Sequence, residues 1–185
     1  MTQLLEKTPL QLNARRSHGR IVNAVADLLR RLLTVPEIYL EPRIAGLPSM
    51  DILAVDKAGS GDLHAARILV TDSALPVGHK TRALHIVRDL SNIKGDPFHF
   101  NYLVVPALQL DEEGNLRFVR PEVLFDKTGI GRVGIIALHG ESRPAGNAPA
   151  VTLATKPERF RMREDSLKRA ERFLDKTKPD MQVRI

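Results

Sequence analysis

The chain has 185 residues, with 28 Lys and Arg against 22 Asp and Glu, a net charge of +6, 43% hydrophobic residues and no cysteine. That composition supports a buried core of ordinary size and excludes disulfide staples, thiolate zinc centres and cysteine nucleophiles. Aromatics at 4% make the core aliphatic and argue against stacked aromatic platforms for nucleic-acid bases.

The pI near 9.9 points towards nucleic acid or another polyanion as partner, with a solvated basic surface lacking any specific partner as the alternative. No apolar run approaches the roughly 20 residues that span a bilayer. The first residues show no basic region followed by an apolar core, as a secretory signal would. The expectation is a cytoplasmic protein with no membrane span.

In chain order, residues 1–13 lack strong periodicity and are expected to form an arm. Helical spacing then runs from Arg15 to Thr34, with Ile21, Val22, Val25, Leu28, Leu29, Leu32 and Leu33 on the apolar side. Pro36 ends it. Glu37–Ile44 alternates as a strand. Met50–Val55 is apolar apart from Asp51, as expected of a strand covered on both faces. Residues 57–62, Lys-Ala-Gly-Ser-Gly-Asp, form a turn, and Leu63–Thr71 returns as a third strand.

A second helix is expected from His79 to Leu90. Tyr102–Ala107 is a strongly apolar strand, Asp111–Asn115 a turn and Arg117–Val119 a short strand. Val133–Leu138 is a further buried strand, and Val151–Ala154 an edge strand. Residues 126–132 and 139–149 read as loops. A final helix runs from Glu164 to about Lys176, and 177–185 form a loose tail. Residues 14–176 are expected to be a single α/β domain.

The segment Glu41-Pro-Arg-Ile-Ala-Gly-Leu-Pro-Ser-Met-Asp51-Ile-Leu-Ala-Val-Asp56 is the most informative for chemistry. It places acids on consecutive strands and at a strand end. A hard divalent cation needs two or three oxygen ligands, and adjacent strands can converge them. Such a metal activates water and stabilises charge on a phosphate. The competing account is that Asp51 caps a turn or pairs with an arginine such as Arg43.

A helix, a strand, a strand bearing apolar-Asp-apolar, a glycine turn, a third strand and a helix follow one another over residues 15–105. This order resembles the PD-(D/E)XK nuclease, or restriction-endonuclease-like, superfamily. The resemblance implies a mixed central sheet flanked by helices, built as helix, three-strand meander, helix and further strands. It also implies that Asp51, in Ser-Met-Asp-Ile-Leu-Ala, matches the metal-binding Asp of the family's second strand.

The family's third strand carries Glu-x-Lys or Asp-x-Lys. Here that strand reads His64-Ala-Ala-Arg-Ile-Leu-Val70, with neither the acid nor the lysine. With this departure the resemblance favours a catalytically degenerate member and leans away from an enzyme, with a metal-dependent nuclease as the enzyme class left open; the basic surface is the part that would bind nucleic acid. One alternative is an active nuclease using Mg or Mn at a relocated site, with Glu41, Asp51, Asp56 or Asp62 as ligands and Lys80 supplied from the following helix. Another is a protein-interaction or homo-oligomer module that never meets nucleic acid.

Other motifs are weaker. His79 and His85 are six apart and do not form a helical metal pair; the six histidines read as surface or packing residues, although His99 could join Asp96 in a loop. Gly129-Ile-Gly131 lacks the residues of a phosphate loop and reads as a turn. Arg15, Arg16 and Arg20 make the first helix basic. Arg159-Phe-Arg-Met-Arg163 sets Arg159, Arg161 and Arg163 at alternate positions, which on an extended segment point the same way and can meet phosphates.

Overall fold

The computed structural model describes residues 9–68, 98–106, 108–110, 116–118, 133–139 and 150–180. The chain opens with helix α1 (Pro9–Leu32) and continues with strands β1 (Glu37–Leu40), β2 (Ile52–Val55) and β3 (Leu63–Ile68). Then come β4 (Phe100–Pro106), β5 (Leu108–Leu110), β6 (Leu116–Phe118), β7 (Gly134–His139) and β8 (Ala150–Thr155). Helix α2 (Glu164–Leu174) follows.

Among the described residues, six strands form one mixed sheet in the order β1-β2-β3-β4-β7-β8, while β5 and β6 pair as a separate two-stranded sheet. β1, β2 and β3 are an antiparallel meander. β3, β4 and β7 run parallel, and β8 returns antiparallel at the edge. This is the mixed α/β sheet that the sequence implied.

On each face of the sheet, the described residues include one packed helix. Val22, Val25 and Leu29 of α1 are fully buried, and their spacing of three and four residues aims them at one side. They meet Ile38, Ile52, Ala54, Ala66, Tyr102, Val104 and Ile136. The opposite face sets Tyr39, Leu53, Val55, Leu63 and Ala65 against Ala170, Leu167, Phe173 and Leu174 of α2. Adjacent β2 residues thus enter different cores, which is why Ile52–Val55 is continuously apolar. β8 alternates exposed and half-buried residues, as an edge strand with one covered face should.

Several boundaries differ from the sequence expectations. α1 includes Pro9–Asn13, which fall inside the stretch expected to be an arm. β1 stops at Leu40, not Ile44, since Glu41 takes a positive φ of 48° and turns the chain out of the ladder. Asp51 precedes β2 and does not lie within it. The 177–180 end of the expected tail is anchored: the Asp180 N–H donates to the Ile38 carbonyl at 2.6 Å. The expected helix at 79–90, the turn at 111–115 and the loop at 126–132 lie outside the described residues, as does most of the loop at 139–149.

Candidate functional site

Asp51 sits at the corner where β1 ends, β2 begins and β3 ends. Its backbone is stitched to both neighbours: its N–H donates to Ala66 O at 3.0 Å, and its carbonyl accepts the Glu41 N–H at 2.7 Å. Its carboxylate Oδ2 accepts the Ile68 N–H at 2.6 Å. The other oxygen, Oδ1, faces His18 Nε2 at 3.5 Å, and the same nitrogen lies 3.4 Å from Glu41 Oε1. Glu41 reaches this position through its left-handed backbone, which in a residue with a Cβ costs on the order of 1 kcal/mol.

His18 comes from α1 and stands between the two carboxylates. Its pKa is raised, first by the hydrogen bond with Asp51, with the charges of Asp51 and Glu41 adding and partial burial opposing. The basic partner of Asp51 is therefore this histidine, not Arg43. Sequence reading missed His18, because a single histidine in a helix carries no signal of what the fold sets against it.

Stability linked to His18 has a definite sign. A group whose folded pKa is raised contributes most below its unfolded value and loses that contribution as pH rises through the folded value. We expect a parent-minus-variant comparison with His18→Gln, by urea denaturation across pH, to show an advantage for the parent near pH 5.5. That advantage should shrink as pH rises past the ordinary histidine value of 6.5 and through the raised folded value. An unchanged difference across that window would mean that His18 is not held charged by Asp51 and Glu41.

The four acids considered as metal ligands do not converge. Asp56 and Asp62 lie beyond the far end of β2, five or more residues from Asp51, which is about 16 Å along an extended strand. Among the described residues no three His, Asp or Glu side chains could hold a metal ion. Glu41 and Asp51 are the pair that shares a corner, and His18 stands between them. Asp51 Oδ2 is already taken by a backbone N–H. These residues do not fit a divalent cation without rearrangement, because its ligands must close to about 2.0–2.6 Å around one point. Lys80 lies outside the described residues.

The strand facing Asp51 supplies no acid either. The β2–β3 register pairs Ile52 with Ala66, so one step further brings Arg67 level with Asp51. Arg67 lines a shallow concavity with Pro48, Ser49, Met50 and Asn101. His64, earlier in β3, is buried and stacks on Phe100 at 4.5 Å, with Nδ1 3.2 Å from the Tyr102 hydroxyl. Burial pulls its pKa down to about 4, so it is neutral at pH 7.

The opposite end of β2 and β3 holds a second polar cluster. Asp62, only 6% exposed, accepts the single Arg159 Nε–H shared between its two carboxylate oxygens at 3.2 Å each, and Nη2 donates to Oδ1 at 2.8 Å. The Ser60 hydroxyl also donates to it. His99 Nδ1 lies 3.3 Å from Asp62 Oδ1 and accepts the Leu63 N–H at 3.0 Å. The Arg159 hydrogen bonds, helped by Ser60, hold the Asp62 carboxyl down at about 2. Among the described residues, His99 thus meets Asp62; Asp96 lies outside them.

Asp56 closes the same turn: a Cβ on Gly59 would overlap its Oδ2, which explains glycine at that position. The Asp56 backbone is bonded into the turn, its N–H donating to Asp62 O at 3.1 Å and its carbonyl accepting the Gly61 N–H at 2.9 Å, while its buried Oδ1 has no hydrogen-bond partner among the described residues.

Of the arginines expected to meet phosphates, Arg20, Arg161 and Arg163 are exposed. Arg159 is exposed too, but its guanidinium is committed to Asp62. Arg161 and Arg163 alternate with half-buried Phe160 and buried Met162, as the extended reading required. Arg15 and Arg16 lie on α1, and their side chains fall outside the described set.

No protein-family model matches the chain, and neither does any curated protein. Among solved structures, it is similar to a protein of unknown function from Silicibacter pomeroyi, with 12% identity and a TM-score of 0.49 over 85% of this chain and 83% of that one. SfsA from Pyrococcus furiosus in complex with Ca2+ gives 12% identity and a TM-score of 0.33 over 80% of this chain and 64% of that one. A repair endonuclease from Pyrococcus abyssi gives 19% identity and a TM-score of 0.26 over 57% of this chain and 42% of that one. Identities this low transfer no residue's role.

Proposed function

We propose that this chain is a restriction-endonuclease-like domain, comprising residues 14–176, whose metal-dependent chemistry has degenerated and which binds nucleic acid through exposed arginines. One observation carries the reading: the His18 imidazole stands between Glu41 and Asp51, where a nuclease of this kind would hold its cation. In its charged form it offsets the two carboxylates from within the fold, so the corner has less need of a metal. The neighbouring strand supports this by offering Arg67 where the family pattern calls for an acid and a lysine.

The binding surface in this reading is made of Arg15, Arg16 and Arg20 on α1 and of Arg161 and Arg163 on the extended segment before α2. Arginines at alternate positions of an extended chain share one side and can follow a phosphate backbone. The net charge of +6 supplies the long-range attraction.

A second reading, a metal-dependent nuclease with a relocated site, draws on the same corner, since Glu41 and Asp51 both approach one point. Fluorescence anisotropy with labelled duplex DNA and single-stranded RNA, between about 50 and 200 mM salt, separates the readings. The expected result is binding that weakens steeply with salt, with no cleavage when Mg2+ or Mn2+ is added.

Replacing Arg161 and Arg163 together by glutamine should lower the slope of log K against log salt by about 2, since each phosphate that a side chain neutralises on duplex DNA accounts for roughly 0.9. Metal-dependent cleavage that disappears in Asp51→Ala favours the second reading. Absence of binding to either nucleic acid overturns the first.

A further inference from the structure

β1 stands at the end of the sheet, and among the described residues its outer side meets no other strand. An open edge presents unpaired N–H and carbonyl groups that invite another strand to add. On β1 those groups belong to Ile38 and Leu40, because the chain reaches them from outside at these two residues. The Asp180 N–H donates to Ile38 O at 2.6 Å, and the Leu40 N–H donates to Asp180 Oδ2 at 3.0 Å.

This is the pattern that one residue of a parallel strand would make opposite Tyr39, with a single change. The carboxylate takes the place of the backbone carbonyl, while the Asp180 carbonyl itself turns towards Arg30 Nη2 at 3.4 Å. A strand residue with that substitution satisfies the edge but cannot extend the ladder, since its own carbonyl faces the end of α1. On the other side of the short strand, Glu41 bends away through its positive φ.

We propose that Asp180 is a built-in edge cap, which occupies the open side of β1 and prevents the β1 strand of a second copy from adding to the sheet there. A second copy is the occupant at issue because its identical edge is present at the protein's own concentration. Antiparallel pairing about a twofold axis would also satisfy both edges at once. The acid on this strand, Glu37, is already paired with Lys57 at 3.3 Å, so its charge opposes such pairing less.

The test compares the parent with Asp180→Ala, Asp180→Asn and a chain ending at Lys176, by sedimentation equilibrium and amide hydrogen exchange. Asp180→Ala and the shortened chain are expected to self-associate roughly tenfold more tightly than the parent, while Asp180→Asn, which keeps an acceptor oxygen, should match the parent. At low concentration, the Leu40 amide of Asp180→Ala should exchange roughly tenfold faster, with that of Tyr39 unchanged. If the shortened chain does not fold, Asp180→Ala decides alone. Association and Leu40 exchange equal to the parent's in that variant overturn the proposal.

Discussion

Asp62→Ala is expected to destabilise the fold by about 2–3 kcal/mol, the largest loss expected from replacing any one polar side chain among the described residues. Asp62 is buried, and its carboxyl is held near 2 instead of its ordinary 3.8. At 1.36 kcal/mol per pKa unit, that difference is worth about 2 kcal/mol of native-state preference for the anion. Removing one partner of a fully buried pair commonly costs 3–5 kcal/mol, because it strands a desolvated charge. Here the stranded partner is Arg159, whose side chain is 56% exposed and can rehydrate, so the lower range applies.

The same pair gives a pH signature. A carboxyl whose folded pKa is depressed contributes fully above its unfolded value and loses that contribution as pH falls through the folded value. The parent should therefore lose about 2 kcal/mol between pH 4 and pH 2 through this group, while Asp62→Ala, lacking it, should show a correspondingly flatter profile. Thermal unfolding at neutral pH should place the variant roughly 5–10 °C below the parent. Equal melting temperatures would show that the Asp62–Arg159 clamp contributes nothing net.

These effects rest on contacts that the sequence did not announce. The apolar spacing of Val22, Val25 and Leu29 and the unbroken run Ile52–Val55 report local geometry, and local geometry is written in neighbouring residues. The alternation in Arg159-Phe-Arg-Met-Arg163 likewise held as a pattern of exposure. What Arg159 does was not legible, because Asp62 lies 97 residues away and the pairing follows from sheet topology. Asp180 and Leu40 are 140 residues apart, so a tail that reads as loose becomes an edge cap only after α2 has docked.

The candidate site shows the same division. Asp51 stands out in the sequence as an acid beside an apolar run, with Glu41 on the preceding segment. His18 did not stand out, since helical periodicity places a residue on a face but not what that face meets. Conversely, Asp56 and Asp62 looked like ligands because they carry the right atoms, and strand length alone removes them from the Asp51 corner. Counting acids along a chain overestimates a metal site when a rigid strand separates them.

Leu53→Ala should cost about 2–5 kcal/mol, the largest single effect expected here. Leu53 is fully buried at the centre of β2 and packs in the cluster formed with Tyr39, Leu63, Ala170 and Phe173. Alanine removes buried methyl and methylene groups and leaves a cavity that α2 cannot fill, because Tyr39 and Phe173 already hold each other edge to face at 5.8 Å. Total stability for a domain is typically only about 5–15 kcal/mol, so the change should be plain in a urea titration.

It also separates folding from binding. Arg161 and Arg163 project to solvent from the segment before α2, and neither belongs to the cluster around Leu53. While Leu53→Ala remains folded, its nucleic-acid salt slope should equal the parent's, although its midpoint in urea falls. If the slope falls with stability, the arginines depend on α2 packing for their placement, and the binding surface extends into the core that holds that helix.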